Sequence, residues 1–294
     1  MPDAHDDAPL VVLHAGSLAR PLRAALDSFT ARSGIPVVTL SAGSVEAARR
    51  ITELHDIPDV VALADEDVFT ALLMPRYVQR YWTFARNRMV IALANDRPST
   101  EKIDSTNWYR VLSQPGVEVG RSDPDLDPAG YRALMVLRLA ELAYHDHSIE
   151  RAVLARSPSR NMRPKSADLT ALLETGAIDY AFVYESVARA AKLRWIPLPR
   201  SIDLSDDALD SAYAHVEVRI AGHTRGDSIT MKGAAIRYAM AVPNAAPDGA
   251  RARRLADFLL SPDGQAAMRA AGLDVTPPRL VESINAARGA TRAQ

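Results

Sequence analysis

The chain has 294 residues, 48% of them hydrophobic, which is length enough for two α/β lobes that each bury a core. Its 35 basic and 36 acidic side chains leave a net charge of -1, so no general field draws it to nucleic acid or a membrane surface, and an anion must be captured locally. Cysteine is absent, which excludes disulfides, thiolate metal sites, cysteine nucleophiles and a lipidated N-terminal cysteine within this sequence.

Met1 to Pro9 is polar and acidic and lacks the basic start and apolar middle of a signal peptide. No apolar run approaches the ~20 residues of a membrane helix. Leu10 to His14 reads as a strand, and Pro21 to Ser33 as a helix. Pro36 to Leu40 (strand), Val45 to Leu54 (helix) and Asp59 to Ala64 (buried strand) continue the alternation. This rhythm predicts a mainly parallel sheet covered by helices. Tyr77, Tyr81, Trp82 and Phe84 follow Pro75 as an aromatic cluster packing on the first lobe. Arg88 to Ala94 is a predicted strand, Asp96 to Ser99 a break, and a second α/β block runs from about Glu101 to Leu198. Within it, Gly120 to Asp127 reads as a loop, Gly130 to Tyr144 and Ala167 to Thr175 as helices, and Tyr180 to Tyr184 as a strand. Val216 to Ile220 and Ala234 to Val242 look like strands flanking the polar turn Thr224 to Asp227. Leu255 to Ala271 is a closing helix broken near Ser261-Pro262, and the tail after Pro277-Pro278 is expected to be loose.

Gly16-Ser17 and Gly43-Ser44 each follow a predicted strand and precede a predicted helix. There a serine hydroxyl and the unsatisfied backbone N–H groups of a helix start point the same way, and glycine lets the backbone approach closely. Two converging starts suit an anion. Each pair taken singly also reads as an ordinary N-cap. Asp127-Pro128-Ala129-Gly130 is a third helix start, with Asp127 at the N-cap and Pro128 at the first helical position. Asp123, Asp125 and Asp127 also suggest a calcium loop, but Leu126 and Pro128 interrupt the spacing and no glutamate closes it.

Enzyme signatures are missing: there is no Gly-x-Ser-x-Gly, His-Glu-x-x-His, Walker loop or Gly-x-Gly-x-x-Gly. His145 and His147 look like a solvated turn, and His14 like a strand-end histidine satisfied by backbone. The arginines are scattered rather than gathered on a nucleic-acid face.

Taken in order, the motifs resemble the molybdate/tungstate-binding proteins of ABC transporters, in particular the archaeal-type branch. The resemblance rests on His14-Ala15-Gly16-Ser17-Leu18, Ala42-Gly43-Ser44-Val45, Ser122-Asp123-Pro124, Asp127-Pro128-Ala129-Gly130-Tyr131-Arg132 and Ile178-Asp179-Tyr180-Ala181-Phe182. It extends to Phe258-Leu259-Leu260-Ser261 with Gly264-Gln265, spanning roughly residues 10 to 280. It implies a type II periplasmic-binding fold: two α/β lobes joined by a two-crossover hinge, with the oxyanion held between them. Lobe 1 is then expected at 9–94 and 206–294, and lobe 2 at 95–205.

The resemblance also implies the ligand residues: Ser17, Ser44, Asp127, Pro128, Ala129, Ser166 and Tyr184, supported by Gly16, Gly43 and Gly130. Ala129 is expected to offer its backbone N–H. Where the archaeal-type branch carries a glutamate, 18 residues before the strand tyrosine, this chain has Ser166. A hydroxyl donates to an oxyanion where a carboxylate only accepts, so the anion is expected to stay near tetrahedral. No cofactor is implied, and no metal beyond the molybdenum or tungsten of the anion. A monomeric extracytoplasmic or periplasmic receptor is expected, its export signal lying outside this sequence. It would deliver its anion to a membrane permease driven by a separate ATPase, without catalysis. The rival readings are the same fold with sulfate, phosphate or an organic acid as its solute, a cytosolic sensor with the same pocket, and a hydrolase using a strand-end serine.

Overall fold

Thirteen strands occur among residues 8–95, 103–222 and 226–283, which the computed structural model describes. In chain order they are β1 (Leu10–Ala15), β2 (Val37–Ala42), β3 (Val60–Leu63), β4 (Arg80–Arg86), β5 (Met89–Leu93), β6 (Val119–Ser122) and β7 (Met162–Arg163). They continue with β8 (Tyr180–Tyr184), β9 (Arg194–Pro197), β10 (Glu217–Ala221), β11 (Ser228–Lys232), β12 (Arg237–Ala241) and β13 (Asp274–Glu282). The chain forms two compact units: one takes the described residues through Arg86 and from Arg237 onward, the other is Asn87–Ile236.

In the first unit the strands are ordered β13-β4-β12-β3-β1-β2. β1 runs parallel to β2 and to β3, while β12 and β13 pair antiparallel, so the sheet is mixed rather than mainly parallel. Val12, Leu13, Val60, Val61 and Leu63 are fully buried, which explains why β1 and β3 read as continuous apolar runs rather than alternating ones. The helix Ala19–Ser33 ends on Gly34, whose φ of 73° is the left-handed turn that glycine adopts without strain. The expected closing helix is two helices, Gly249–Leu260 and Pro262–Ala270. Ser261 lies between them, its hydroxyl accepting from the Gly264 N–H.

Three expectations for this unit change. Three of the four aromatic residues, Tyr81, Trp82 and Phe84, lie in a strand, β4, with Tyr81 and Phe84 buried, and Tyr77 precedes it. The segment through Pro277 and Pro278 is not loose, because it belongs to β13 and pairs with β4 at the sheet edge. The prolines fall where the register shifts between Val275 and Arg279, a position that needs no ladder N–H. The crossovers lie at Arg86/Asn87 and Ile236/Arg237 rather than near 94 and 206.

The physical reason for that last change is strand pairing. β5 is hydrogen-bonded between β8 and β9, in a second sheet ordered β7-β6-β8-β5-β9, and so belongs to the second unit. The β10–β11 hairpin belongs there too. The Ala221 N–H donates to Asp125 at 2.7 Å, and the Arg138 guanidinium donates to the Glu217 carbonyl. In the second sheet β7, β6 and β8 run parallel, and β5 pairs antiparallel with both β8 and β9. The supposed loop from Gly120 includes the end of β6.

Candidate functional site

In the first unit, Ala15 of β1 is the register partner of Ala42 of β2. Ser17 and Ser44 each stand two residues beyond that pair, at the carboxyl ends of neighbouring parallel strands, the position where open α/β sheets collect ligands. Neither serine is a helix N-cap. Ser17 is the middle residue of a 3-10 turn, Gly16–Leu18, whose cap position is Ala15. Ser44 is the first helical residue of Ser44–Thr52, and Gly43 occupies the cap. The Gly43 N–H is taken by the Glu46 carboxylate at 3.2 Å.

The two hydroxyls are held from behind. Tyr238, fully buried on β12, donates its hydroxyl to Ser17 Oγ at 2.9 Å. The Ala64 N–H, just past β3, donates to Ser44 Oγ at 3.0 Å. A hydroxyl has one proton and two acceptor positions, so an oxygen that already accepts presents its proton on another side. His14 is buried, and its Nδ1–H donates to the Ala15 carbonyl at 2.8 Å, in line with a structural histidine.

In the second unit the candidate residues lie at or beyond the ends of β6, β7 and β8, three neighbouring parallel strands. After β6 the acidic loop folds on itself. Asp123 accepts from the Asp125 N–H at 2.9 Å, and its carbonyl accepts from the N–H groups of Leu126 and Asp127. Asp125 holds Ala221. These carboxylates serve turns and a hairpin contact rather than a calcium loop.

Asp127 stands at the N-cap of the helix Pro128–Tyr144, with Pro128 in the first turn, but its side chain does not cap. The carboxylate instead accepts the Ser166 N–H at 2.8 Å. Burial pushes the Asp127 pKa up from the ordinary carboxylate value. The Ser122 and Ser166 hydroxyls, the Ser166 N–H and the Arg132 charge oppose that shift. Ser166, which opens a 3-10 turn after β7, is therefore tied to Asp127.

Ala129 is buried in the first helical turn, where backbone N–H groups have no carbonyl four residues back. Gly130 permits that arrangement. A β-carbon there would stand 2.6 Å from the Ser122 carbonyl oxygen, the Asp123 carbonyl carbon and the Pro124 nitrogen, all of them backbone atoms.

Tyr184 ends β8 and is fully buried. Its hydroxyl oxygen accepts from the Arg132 guanidinium at 2.7 Å. The sequence reading assigned no role to Arg132 or Tyr238. In sequence Arg132 is one of many scattered arginines, and Tyr238 sits 221 residues from the serine it holds. His145 closes the helix Pro128–Tyr144 in a left-handed conformation with φ of 54°, which suits the turn expected there.

Residues 10–274 match the family described as bacterial extracellular solute-binding protein. A solute-binding protein of Petrotoga mobilis is 38% identical over 278 residues, covering 94% of this chain and 86% of that protein. The molybdate/tungstate-binding protein WtpA of Pyrococcus abyssi is 33% identical over 299 residues, covering 92% of this chain and 86% of the relative. Among solved structures, the periplasmic molybdate-binding protein of Azotobacter vinelandii superposes with a TM-score of 0.65 at 19% identity, covering 90% of this chain and 98% of the other. The sulfate-binding protein SubI from Mycobacterium tuberculosis gives 0.62 at 14% identity, covering 90% and 86%. At those identities the superpositions speak for the fold, which is the type II periplasmic-binding fold. With the family matched over most of its length, this chain belongs to the bacterial extracellular solute-binding proteins.

Proposed function

We propose that this chain is the extracytoplasmic receptor of an ABC importer for molybdate or tungstate, and that it binds the dianion by hydrogen bonds and performs no catalysis. The observation that carries this reading is the treatment of three hydroxyls. Ser17, Ser44 and Tyr184 each accept one hydrogen bond from a protein donor, which holds each as a donor in turn. Within the second unit, the backbone N–H of Ala129 and Ser166, anchored on Asp127, are further candidate donors. The names of the WtpA relatives support molybdate or tungstate as the guest.

A divalent oxyanion leaving water loses a strong hydration shell, and donors fixed beforehand replace it. Charge-assisted hydrogen bonds contribute about 1.5–3 kcal/mol each, so several offset a large part of that cost. Neutral donors also discriminate by proton inventory. A hydrogen-bearing anion such as hydrogen phosphate brings a donor against donors, which leaves a clash. In the proposed cycle the loaded protein delivers its anion to a permease whose ATPase drives transport, and it acts as a monomer outside the cytoplasm.

Calorimetry on the Ser17→Ala, Ser44→Ala double variant tests the assignment. Losing two charge-assisted bonds is expected to weaken molybdate by about 100- to 10,000-fold while a cooperative melt remains. Unchanged affinity removes these serines from the site. A wild-type protein whose melting temperature rises with none of molybdate, tungstate, sulfate or phosphate removes the receptor reading itself.

A further inference from the structure

We propose that Tyr238 makes this protein selective by size, holding the Ser17 proton where it meets a large tetrahedral oxyanion such as tungstate and not the smaller sulfate. The inference deepens the oxyanion reading above and rests on it. Ser17, Tyr238 and Phe84, the ring behind Tyr238, all belong to the first unit.

Tyr238 stands on β12, which is hydrogen-bonded to β4 on one side and to β3 on the other. Its side chain is fully buried and donates to Ser17 Oγ at 2.9 Å. The residue before it, Arg237, is tied to the Glu66 carboxylate at 3.0 Å, which fastens the strand beside the tyrosine. A tyrosine side chain turns about only two bonds and its ring does not bend, so a buried one delivers its hydroxyl to a fixed point.

Phe84 packs against that ring. It has no register partner in either strand beside β4. The ladder with β12 steps from Ala85 to Thr83 between Tyr238 and Ala239, and the ladder with β13 makes the same step between Val275 and Arg279. An extra residue of this kind re-aims a side chain. Here the Phe84 ring, itself fully buried, meets that of Tyr238 edge to face, with centroids 6.5 Å apart and planes at 68°. Close packing of the two rings leaves the tyrosine little room to swing.

A hydroxyl held this way is set for one distance. Donors fixed beforehand favour the guest they fit and penalise one of another size, because they follow it only by breaking their own support. The oxygens of sulfate lie closer to its centre than those of molybdate or tungstate, so a site framed for the larger anions leaves the Ser17 bond to sulfate long. Ser44 rests on the Ala64 main-chain N–H, which no side-chain change removes. Ser17 rests on a side chain, so its setting can be altered by deleting one oxygen atom.

The experiment is calorimetry with tungstate, and with sulfate by competition against tungstate, on the wild type, Tyr238→Phe, Ser17→Ala and the double variant, with a melting curve for each. Tyr238→Phe is expected to weaken tungstate by about 5- to 10-fold and to leave sulfate within about twofold, so that the preference for tungstate falls by about fivefold. In the Ser17→Ala background the same change should alter tungstate by less than about twofold, because no hydroxyl remains to be aimed. Equal losses for both anions, or factors that simply multiply in the double variant, mean a packing role and overturn the proposal. Sulfate that competes in neither the wild type nor Tyr238→Phe overturns it too, since exclusion then does not depend on Tyr238. If Tyr238→Phe fails to fold, Phe84→Leu decides: a preference lowered by about twofold or more supports the proposal, and an unchanged one overturns it. A wild type that binds neither tungstate nor molybdate is a different outcome, since it removes the receptor reading and this inference with it.

Discussion

The two units meet one design problem with different chemistry. Each sets its candidate groups at or past the carboxyl ends of adjacent parallel strands, β1 and β2 in the first and β7, β6 and β8 in the second. In the first unit the supporting groups are neutral: a tyrosine hydroxyl behind Ser17 and a backbone N–H behind Ser44. Charge is present nearby in sequence but is spent elsewhere. Arg237, the residue before Tyr238, pairs with the Glu66 carboxylate at 3.0 Å, and Arg279 joins it at 3.1 Å. In the second unit a buried cation and a buried carboxyl group stand within the candidate set itself. Neutral supports fix where a donor points, whereas a charged support also fixes how strongly it attracts.

The largest effect expected outside the serines comes from Gly130→Ala. The three atoms a methyl would meet are main chain, so nothing flexible can give way. Overpacking of this kind costs about 1–3 kcal/mol, visible as an earlier urea midpoint, and it should also displace the Ala129 N–H and weaken molybdate. A variant as stable as the parent would show that the loop after β6 yields more easily than its contacts suggest.

Tyr238→Phe sharpens the contrast between the units. It frees the Ser17 hydroxyl to rotate, and a loss of about 5- to 10-fold is expected for tungstate and for perrhenate, a tetrahedral oxyanion with one charge, alike, since the group removed is neutral. If the loss grew with the charge of the anion, the division between neutral and charged supports would fail.

The smallest effect belongs to Asp127→Asn. Because the folded protein raises this pKa, the group stabilises most at pH values below the unfolded carboxylate value, and that contribution is lost as pH rises through the folded value. The asparagine variant should therefore gain melting temperature relative to the parent as pH climbs from 3 to 8, and the two should draw together at the acid end. Its tungstate complex should show the same four-coordinate metal by X-ray absorption as the parent. A six-coordinate spectrum in the parent that is lost in the variant would make Asp127 a metal ligand instead.

What the sequence made legible was local. A strand ending in Ala-Gly-Ser, twice, located the two serines, and the Asp127-Pro128 pair located a helix start to the residue. What it concealed was long-range. Nothing in Met89–Leu93 says that it pairs with β8 and β9 rather than with the strands before it, because periodicity records burial and not partnership. β4 was hidden behind its aromatic side chains, which read equally well as a packing cluster. Tyr238 and Arg132 escaped for the same reason. Each acquires its role only from a hydroxyl that folding delivers from elsewhere in the chain, 221 residues away in one case and 52 in the other.

The pair Pro277-Pro278 also has a bearing on what the margin of this sheet offers to a passing chain. A margin strand normally offers a row of N–H groups on which a stray chain can zip, and two successive imino acids at a register break interrupt that row. Proteolysis ahead of Asp274 would strip this shield and lay bare β4, with Tyr81, Trp82 and Phe84 along it. The cleaved product would then carry an adhesive border that the whole chain keeps covered.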